Sequence, residues 1–265
     1  MDVDLHCHTT ASDGTLAPRE LLDRAVANGV ELLSITDHDT VDAYAGLADV
    51  IPPQLELVPG IECSTSWQGV GIHVVGLYIA PEHPDIREAV TAQRIARRTR
   101  AGKIARRLAR LGLPDLLPAA ARLAGDGVIG RPHFARAMVE QDLVKDASTA
   151  FRKYLGNGKA GDVKDHWAPL DEVIGWIRGA GGIAVLAHPG HYQLTRSKRR
   201  RLVAAFKAAG GGAIEVISGR QDPALTAALA RDSVDFELLA SAGSDFHRPG
   251  QFGVELGAVA SLPPI

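Results

Sequence analysis

Residues 3–39 read VDLHCHTTASDGTLAPRELLDRAVANGVELLSITDHD, and this stretch decides the fold class. Val3–Leu5 opens a strand, and Pro18–Asn28 follows with Leu21, Leu22, Ala25 and Val26 on one helical face. Gly29 stops that helix, and Val30–Thr36 is a second strand. Further on, Leu55–Val58, Ile72–Tyr78, Ile183–Ala187, Ala213–Ile217 and Leu238–Ala242 read as strands. Helical spacing returns at Leu170–Gly179, Lys198–Ala209 and Ala224–Arg231. Strand–helix alternation with apolar strands leads us to expect an α/β fold of parallel strands covered by helices, closed or distorted into a barrel.

The rhythm breaks between about Ala89 and Lys164. A long basic helix, Thr91–Leu111, leads into an Ala-rich segment, then Gly125–Glu140 and a Gly-rich loop at Leu155–Gly161. The expected organisation is a barrel domain from residues 1–88 and 165–265, with 89–164 a mainly helical subdomain inserted over one end. A chain of 265 residues has room for that arrangement. Hydrophobic residues at 46% and charged residues at 23% are ordinary for a globular protein. A net charge of −2 argues against a protein that grips duplex nucleic acid by its phosphates, and leaves a small phosphorylated ligand or a short oligonucleotide open. Cys7 and Cys63 are the only cysteines, so neither a disulfide framework nor a paired-Cys zinc motif is present. No apolar run reaches membrane-spanning length and the first residues are acidic, so no membrane partner and a cytoplasmic location are expected.

The ionisable residues fall in a pattern. His6 and His8 stand two apart on the first strand and therefore share a face, while Cys7 points away. Asp13 follows in the next loop. Thr36-Asp37-His38-Asp39 ends the second strand, Gly60-Ile61-Glu62 follows the third, and His73 begins the next. His188 ends Ala184–His188, and Asp245 with His247 ends Ser241–His247. One histidine near a strand end is normally a hydrogen-bonded core residue; Asp13-Gly14 alone is a turn, and Asp37-His38-Asp39 alone could cap a helix. Their recurrence on strand after strand, or at the C-terminal edge of one, points instead to a shared site. Imidazoles and carboxylates without thiolate suit Mn, Zn or Fe, and so many donors imply more than one ion. Two ions about 3.5–4 Å apart can clamp both the attacking and the leaving oxygen of a phosphoryl displacement.

The residues that carry this pattern resemble the PHP (polymerase and histidinol phosphatase) family within the amidohydrolase-like barrels. They are His6-Cys7-His8, Ser12-Asp13-Gly14-Thr15, Ile35–Asp39, Gly60-Ile61-Glu62, His73, Ala187-His188-Pro189 and Gly243–His247. The resemblance implies a distorted (β/α)7 barrel with a trinuclear centre. It implies one ion on His6, His8, Glu62 and Asp245, a second sharing Glu62 with His73 and His188, and a third on Asp13, His38 and His247. Asp37 is expected to orient an imidazole. Shorter matches in Gly130-Arg131-Pro132-His133, Tyr154–Lys159 and Glu215–Gly219 resemble the branch of nucleotide 3′,5′-bisphosphate phosphatases and 5′-to-3′ exoribonucleases.

On the substrate side, Arg131 can fork onto a phosphate, His133 can donate to phosphate or to the leaving oxygen, and Lys159 lies between glycines that let a ligand approach. His191 reads as a rim acid or donor and Arg220 as a residue near the mouth. Each also has a plain reading as a surface or helix-start residue. The basic helix is either a solvated face or a lid for a polyanion. Of Trp67, Trp167 and Trp176, Trp167 is the candidate to stack a base. His83 and His166 read as surface residues. The expected activity is hydrolysis of the 3′-phosphate of a nucleotide 3′,5′-bisphosphate with two or three divalent ions, manganese foremost. The alternatives are 5′-to-3′ degradation of short 5′-phosphorylated RNA, histidinol-phosphate hydrolysis, C–N bond hydrolysis and a non-catalytic metal-binding module.

Overall fold

The computed structural model describes residues 2–164, 167–250 and 254–263. Strand β1 (Val3–Cys7), helix α1 (Pro18–Ala27) and strand β2 (Leu32–Ile35) form the expected unit, with β1 and β2 parallel. Pro18 at the first turn presets φ for the helix, and Glu20 accepts the Ala17 N–H at 2.8 Å, doing for that end what Ala17 cannot. Leu21, Leu22 and Ala25 are fully buried with Cys7, Leu33, Ile35 and Phe246. The Cys7 thiol meets the Ser34 carbonyl on that side of the strand, away from the His6 and His8 side chains. A two-residue strand, β3 (Glu56–Leu57), completes a three-stranded parallel sheet.

The second sheet holds β4 (Gly60–Trp67), β5 (Val70–Leu77), β6 (Ile183–Leu186), β7 (Ala213–Ser218) and β8 (Leu239–Gly243), in that order. Strand β5 runs antiparallel to both β4 and β6, which corrects the expectation of an all-parallel arrangement. The cause is a tight hairpin: Gln68 at φ 48° and Gly69 at φ 75° both sit in the left-handed region, the two-residue turn that matches strand twist. Strand β4 escaped the sequence reading because its middle, Glu-Cys-Ser-Thr-Ser, lacks an apolar run, although Gly60–Thr65 are all buried. Single bridges join the sheets, His38 with Glu62 and Cys7 with Phe246. The fold is α/β. Helices α6 (Leu170–Gly179), α7 (Arg196–Ala208) and α8 (Pro223–Asp235) pack over the second sheet through Ile174, Ile177, Leu202, Phe206 and Leu229.

Helix α2 begins at Pro84, earlier than its basic run suggests, and extends to Ala109. His83 starts it by accepting the Asp85 N–H, so it is a cap rather than a bare surface residue. His166 lies outside the described residues. The second half of α2 packs with α3 (Leu117–Ala124), α4 (Arg131–Glu140) and α5 (Ala147–Ala150), which runs on through one wider turn to Leu155. Ile104, Leu108, Phe134 and Met138 form the centre of this second core. Among the described residues no helix is long and apolar enough to cross a membrane.

Gly243 lets β8 press on β1, since a Cβ there would stand 2.4 Å from the His6 Cβ. Gly243→Ala is expected to cost about 1–3 kcal/mol of stability, read as a lower urea midpoint at unchanged m-value.

Candidate metal centre

Nine donors arrive at one place from separate elements. His6 comes from β1 and His8 from just beyond it; Asp13 comes from the following loop and His38 from beyond β2. Glu62 lies inside β4 and His73 inside β5, while His188 follows β6 and Asp245 and His247 follow β8. Two of these, His188 at φ 27° and Asp245 at φ 55°, hold a left-handed backbone that non-glycine residues rarely adopt. The Asp37 carboxylate, expected to orient an imidazole, instead takes its hydrogen bonds from Thr9 and Ser12. Buried, it accepts the Thr9 N–H at 2.8 Å and the Thr9 and Ser12 hydroxyls at 2.5 Å each, which shapes the loop that carries Asp13.

The ligand atoms form four overlapping sets, each with its atoms within 4.8 Å of one another: His8, Asp13, His38 and His247; His6, Glu62 and His188; His6, His8 and Asp245; and His38, Glu62 and His73. Glu62 is central. Its oxygens lie 2.7 Å from His38 Nδ1, 2.9 Å from His73 Nδ1 and His188 Nε2, and 3.4 Å from the Nε2 atoms of His6 and His8. His247 Nε2 reaches Asp13 at 3.3 Å. Buried atoms of the cluster lack hydrogen-bond partners, among them His6 Nε2, both ring nitrogens of His8, Asp13 Oδ1, His38 Nδ1 and Glu62 Oε2. Buried polar atoms are normally paired, so lone pairs left open and converging fit divalent cations.

Electrostatics agree with that fit. Burial, with His247 and His38 nearby, pushes His8 down to about 3. Burial likewise takes His73 to about 4 against the pull of Glu62. Both rings are therefore neutral at pH 7. Burial disfavours charge on Glu62, Asp13 and Asp245 too, yet the surrounding imidazoles hold all three carboxyls well below their usual range. Burial also opposes charge on His6 and His247, but Glu215, Glu62 and Asp245 raise His6 well above its usual value, and Asp13 lifts His247 to about 10.

Glu215, on β7, was given no role by the sequence reading, which used it only within the Glu215–Gly219 match. Its Oε1 takes His6 Nδ1 at 2.9 Å and its Oε2 accepts the His188 N–H at 2.6 Å. One carboxylate thus sets the His6 tautomer and aims Nε2 inward. Its signal was a lone acid in the apolar run Ala-Ile-Glu-Val-Ile. Tyr192 also escaped notice: its hydroxyl donates to the Ala187 carbonyl and accepts the His73 N–H, tying β5 to the loop of His188.

The cluster opens into a cavity of about 460 Å³. Asp13, His38, His73 and His188 lie at its floor, with Arg97, Arg100, Arg131, Lys164, His191 and Trp167 around it. Arg131 and His191 line this cavity, and Trp167 lies beneath the guanidinium groups of Arg97 and Arg100. Trp176 is instead buried in the main core, with Trp67 packed against it. His133 does not line this cavity; its Nδ1 accepts the Gly130 N–H at 3.0 Å, because its place at the start of α4 turns the ring back to cap the helix. It faces a separate pocket with Thr10, Ser12 and Arg136. Lys159 is exposed and outside the cavity, where Lys164 lies instead. Arg220 lines a groove with Gln221 and Pro223, away from the donors.

Glu215→Ala is expected to weaken metal binding about 10–100-fold, measured by competition with a chromophoric chelator. Metal loading at pH 7 is expected to release protons, since carboxylates raise His6, His188 and His247, and calorimetry in buffers of different ionisation enthalpy detects the release. All three rings have raised values, so affinity is expected to fall further as pH drops.

No family model matches the chain. The 3′,5′-nucleoside bisphosphate phosphatase of Chromobacterium violaceum is 41% identical over 266 residues, 100% of this chain and 93% of that protein. The 5′-3′ exoribonuclease Rnm of Escherichia coli is 44% identical over 263 residues, 98% of this chain and 89% of that protein. The 5′-3′ exoribonuclease of Haemophilus influenzae is 41% identical over 269 residues, 99% and 97% of the two chains. Among solved structures, an amidohydrolase from Chromobacterium violaceum with bound sulfate and no metal matches with a TM-score of 0.92 and 41% identity, covering 100% of this chain and 93% of that one. A Bifidobacterium adolescentis protein assigned as a metal-dependent phosphoesterase matches with a TM-score of 0.82 and 28% identity, covering 96% and 90%. From its donor cluster and from these relatives, the chain belongs to the PHP family of metal-dependent phosphoesterases and is a hydrolase.

Proposed function

We propose that the chain removes the 3′-phosphate from nucleoside 3′,5′-bisphosphates, giving the 5′-mononucleotide and phosphate. The observation that carries this reading is a nine-donor cluster beneath a cavity walled by Arg100, Arg131, Lys164 and Trp167. A volume of about 460 Å³ suits a single nucleotide, and cations away from the cluster suit a second phosphate. The phosphatase relative from Chromobacterium violaceum supports the same substrate class.

The donor sets, imidazole with carboxylate, support two or three divalent ions of manganese, zinc or iron on His6, His8, Asp13, His38, Glu62, His73, His188, Asp245 and His247. Divalent ions in such a set supply an activated water and neutralise charge on a phosphoryl group. Arg131 would orient the phosphate from the cavity wall, its Nη1 already steadied by the Leu155 carbonyl at 3.1 Å. His191, stacked on His188 with ring centres 5.1 Å apart, would donate to the leaving oxygen. Trp167 would take the base. We read the two bridged sheets as a distorted (β/α)7 barrel, with 89–164 an inserted helical subdomain over the donor end. The buried free thiols Cys7 and Cys63 support a cytoplasmic location.

A second reading, release of 5′-mononucleotides from short 5′-phosphorylated RNA, is favoured by the exoribonuclease relatives. Phosphate release by Mn-loaded protein is to be compared on adenosine 3′,5′-bisphosphate, a 5′-phosphorylated oligoribonucleotide, histidinol phosphate and 5′-AMP. Fast release from the bisphosphate with 5′-AMP left intact is the expected result. Mononucleotides from RNA with no turnover of the bisphosphate would move the assignment to the exonuclease. On the preferred substrate, Arg131→Met is expected to lower kcat/KM about 10–100-fold, the range of a lost charged hydrogen bond.

A further inference from the structure

Arg97 stands on α2 with its side chain only 5% exposed. Its Nε donates to Asp39 Oδ2 at 2.6 Å and its Nη2 to Ser64 Oγ at 3.1 Å. The other Asp39 oxygen accepts the Ser64 backbone N–H at 2.6 Å, and the Asp39 N–H donates to the Glu62 carbonyl at 2.8 Å. Asp39 directly follows His38 and holds a left-handed φ of 55°. His38 and Glu62 in turn form the bridge between the sheets, and their side chains meet at 2.7 Å inside the donor cluster. A fully buried ion pair is a poor device for stability alone, because apolar residues of similar volume serve as well or better. This pair is joined, through the backbone it grips, to the two donors that link one ligand set to the next.

We infer that Arg97 is a positioning residue for the metal centre: acting through Asp39, it fixes the spacing between His38 and Glu62. The separation between the set of His8, Asp13, His38 and His247 and the set of His6, Glu62 and His188 then depends on a side chain that holds no ion itself. The guanidinium also borders the cavity and lies 5.5 Å from the Trp167 ring centre, so the helix that walls the cavity and the ligand loop keep a common register. The inference rests on the metal-dependent phosphoesterase reading of the site, and its first readout needs no substrate.

The test compares Arg97→Lys, Arg97→Met and the double variant Arg97→Met/Asp39→Asn with wild type, reading thermal midpoint, Mn affinity by chelator competition, kcat and KM. Arg97→Met alone strands a buried carboxylate and is expected to unfold at lower temperature. The double variant is expected to regain most of the midpoint while keeping a metal affinity about 10–100-fold below wild type. Its kcat is expected to fall with KM within about threefold of wild type, because the loss lies in ligand geometry rather than substrate binding. Recovery of metal affinity together with the midpoint would make the pair merely structural and overturn the inference. A raised KM at unchanged kcat would overturn it too, making Arg97 a substrate contact. Should the double variant fail to fold, Arg97→Lys decides: it keeps the charge but not the fork, and unchanged Mn affinity in it sinks the proposal. Wild-type inactivity on the bisphosphate would count against the substrate assignment alone, since the affinity arm does not use it.

Discussion

A single carboxylate, excluded from solvent and ringed by five imidazoles within 3.4 Å, is the constraint around which the chain is arranged. A carboxylate in the interior is costly unless positive charge or strong donors compensate it. Glu62 obtains that compensation only if β1, the segment after β2, β5 and the segment after β6 all deliver a ring to the same point. The left-handed residues at His188 and Asp245 and the close approach at Gly243 follow from that convergence. Sites that concentrate charge in this way cost stability and are kept for the chemistry they perform.

Much of this was legible in the order of residues. Parallel strands with helices between them announce themselves by apolar runs and helical spacing, and the elements Pro18–Ala27 and Leu170–Gly179 lie where periodicity puts them. The donor residues were legible for a different reason: histidines and acids recurring at strand after strand are rare unless they share a purpose. What stayed hidden depends on partners far away in sequence. Strand β4 is polar because its side chains face a site, so its composition conceals its geometry. The reversal of β5 turns on Gln68 and Gly69, two residues that look like any short loop.

The walls of the site were harder to read than its floor. A ligand on a strand is held by the pleat, whereas a loop or helix residue can turn either way. Arg131 and His191 border the cavity, while His133 folds back onto the start of its own helix and Lys159 faces solvent. Glu215 and Asp39 sat in plain view within their motifs, but their parts depend on hydrogen bonds to distant residues, Glu215 with His6 and His188 and Asp39 with Arg97 and Ser64, which no spacing rule supplies.

Helix α2 belongs to two cores at once. Ile86 and Ala89 pack with the strands, whereas Ile104 and Leu108 pack with α3 and α4, and Pro84–Ala109 runs between them as one unbroken helix. Such a rod transmits tilt rather than absorbing it, so the roof of the cavity cannot swing as a hinged door without melting helical turns.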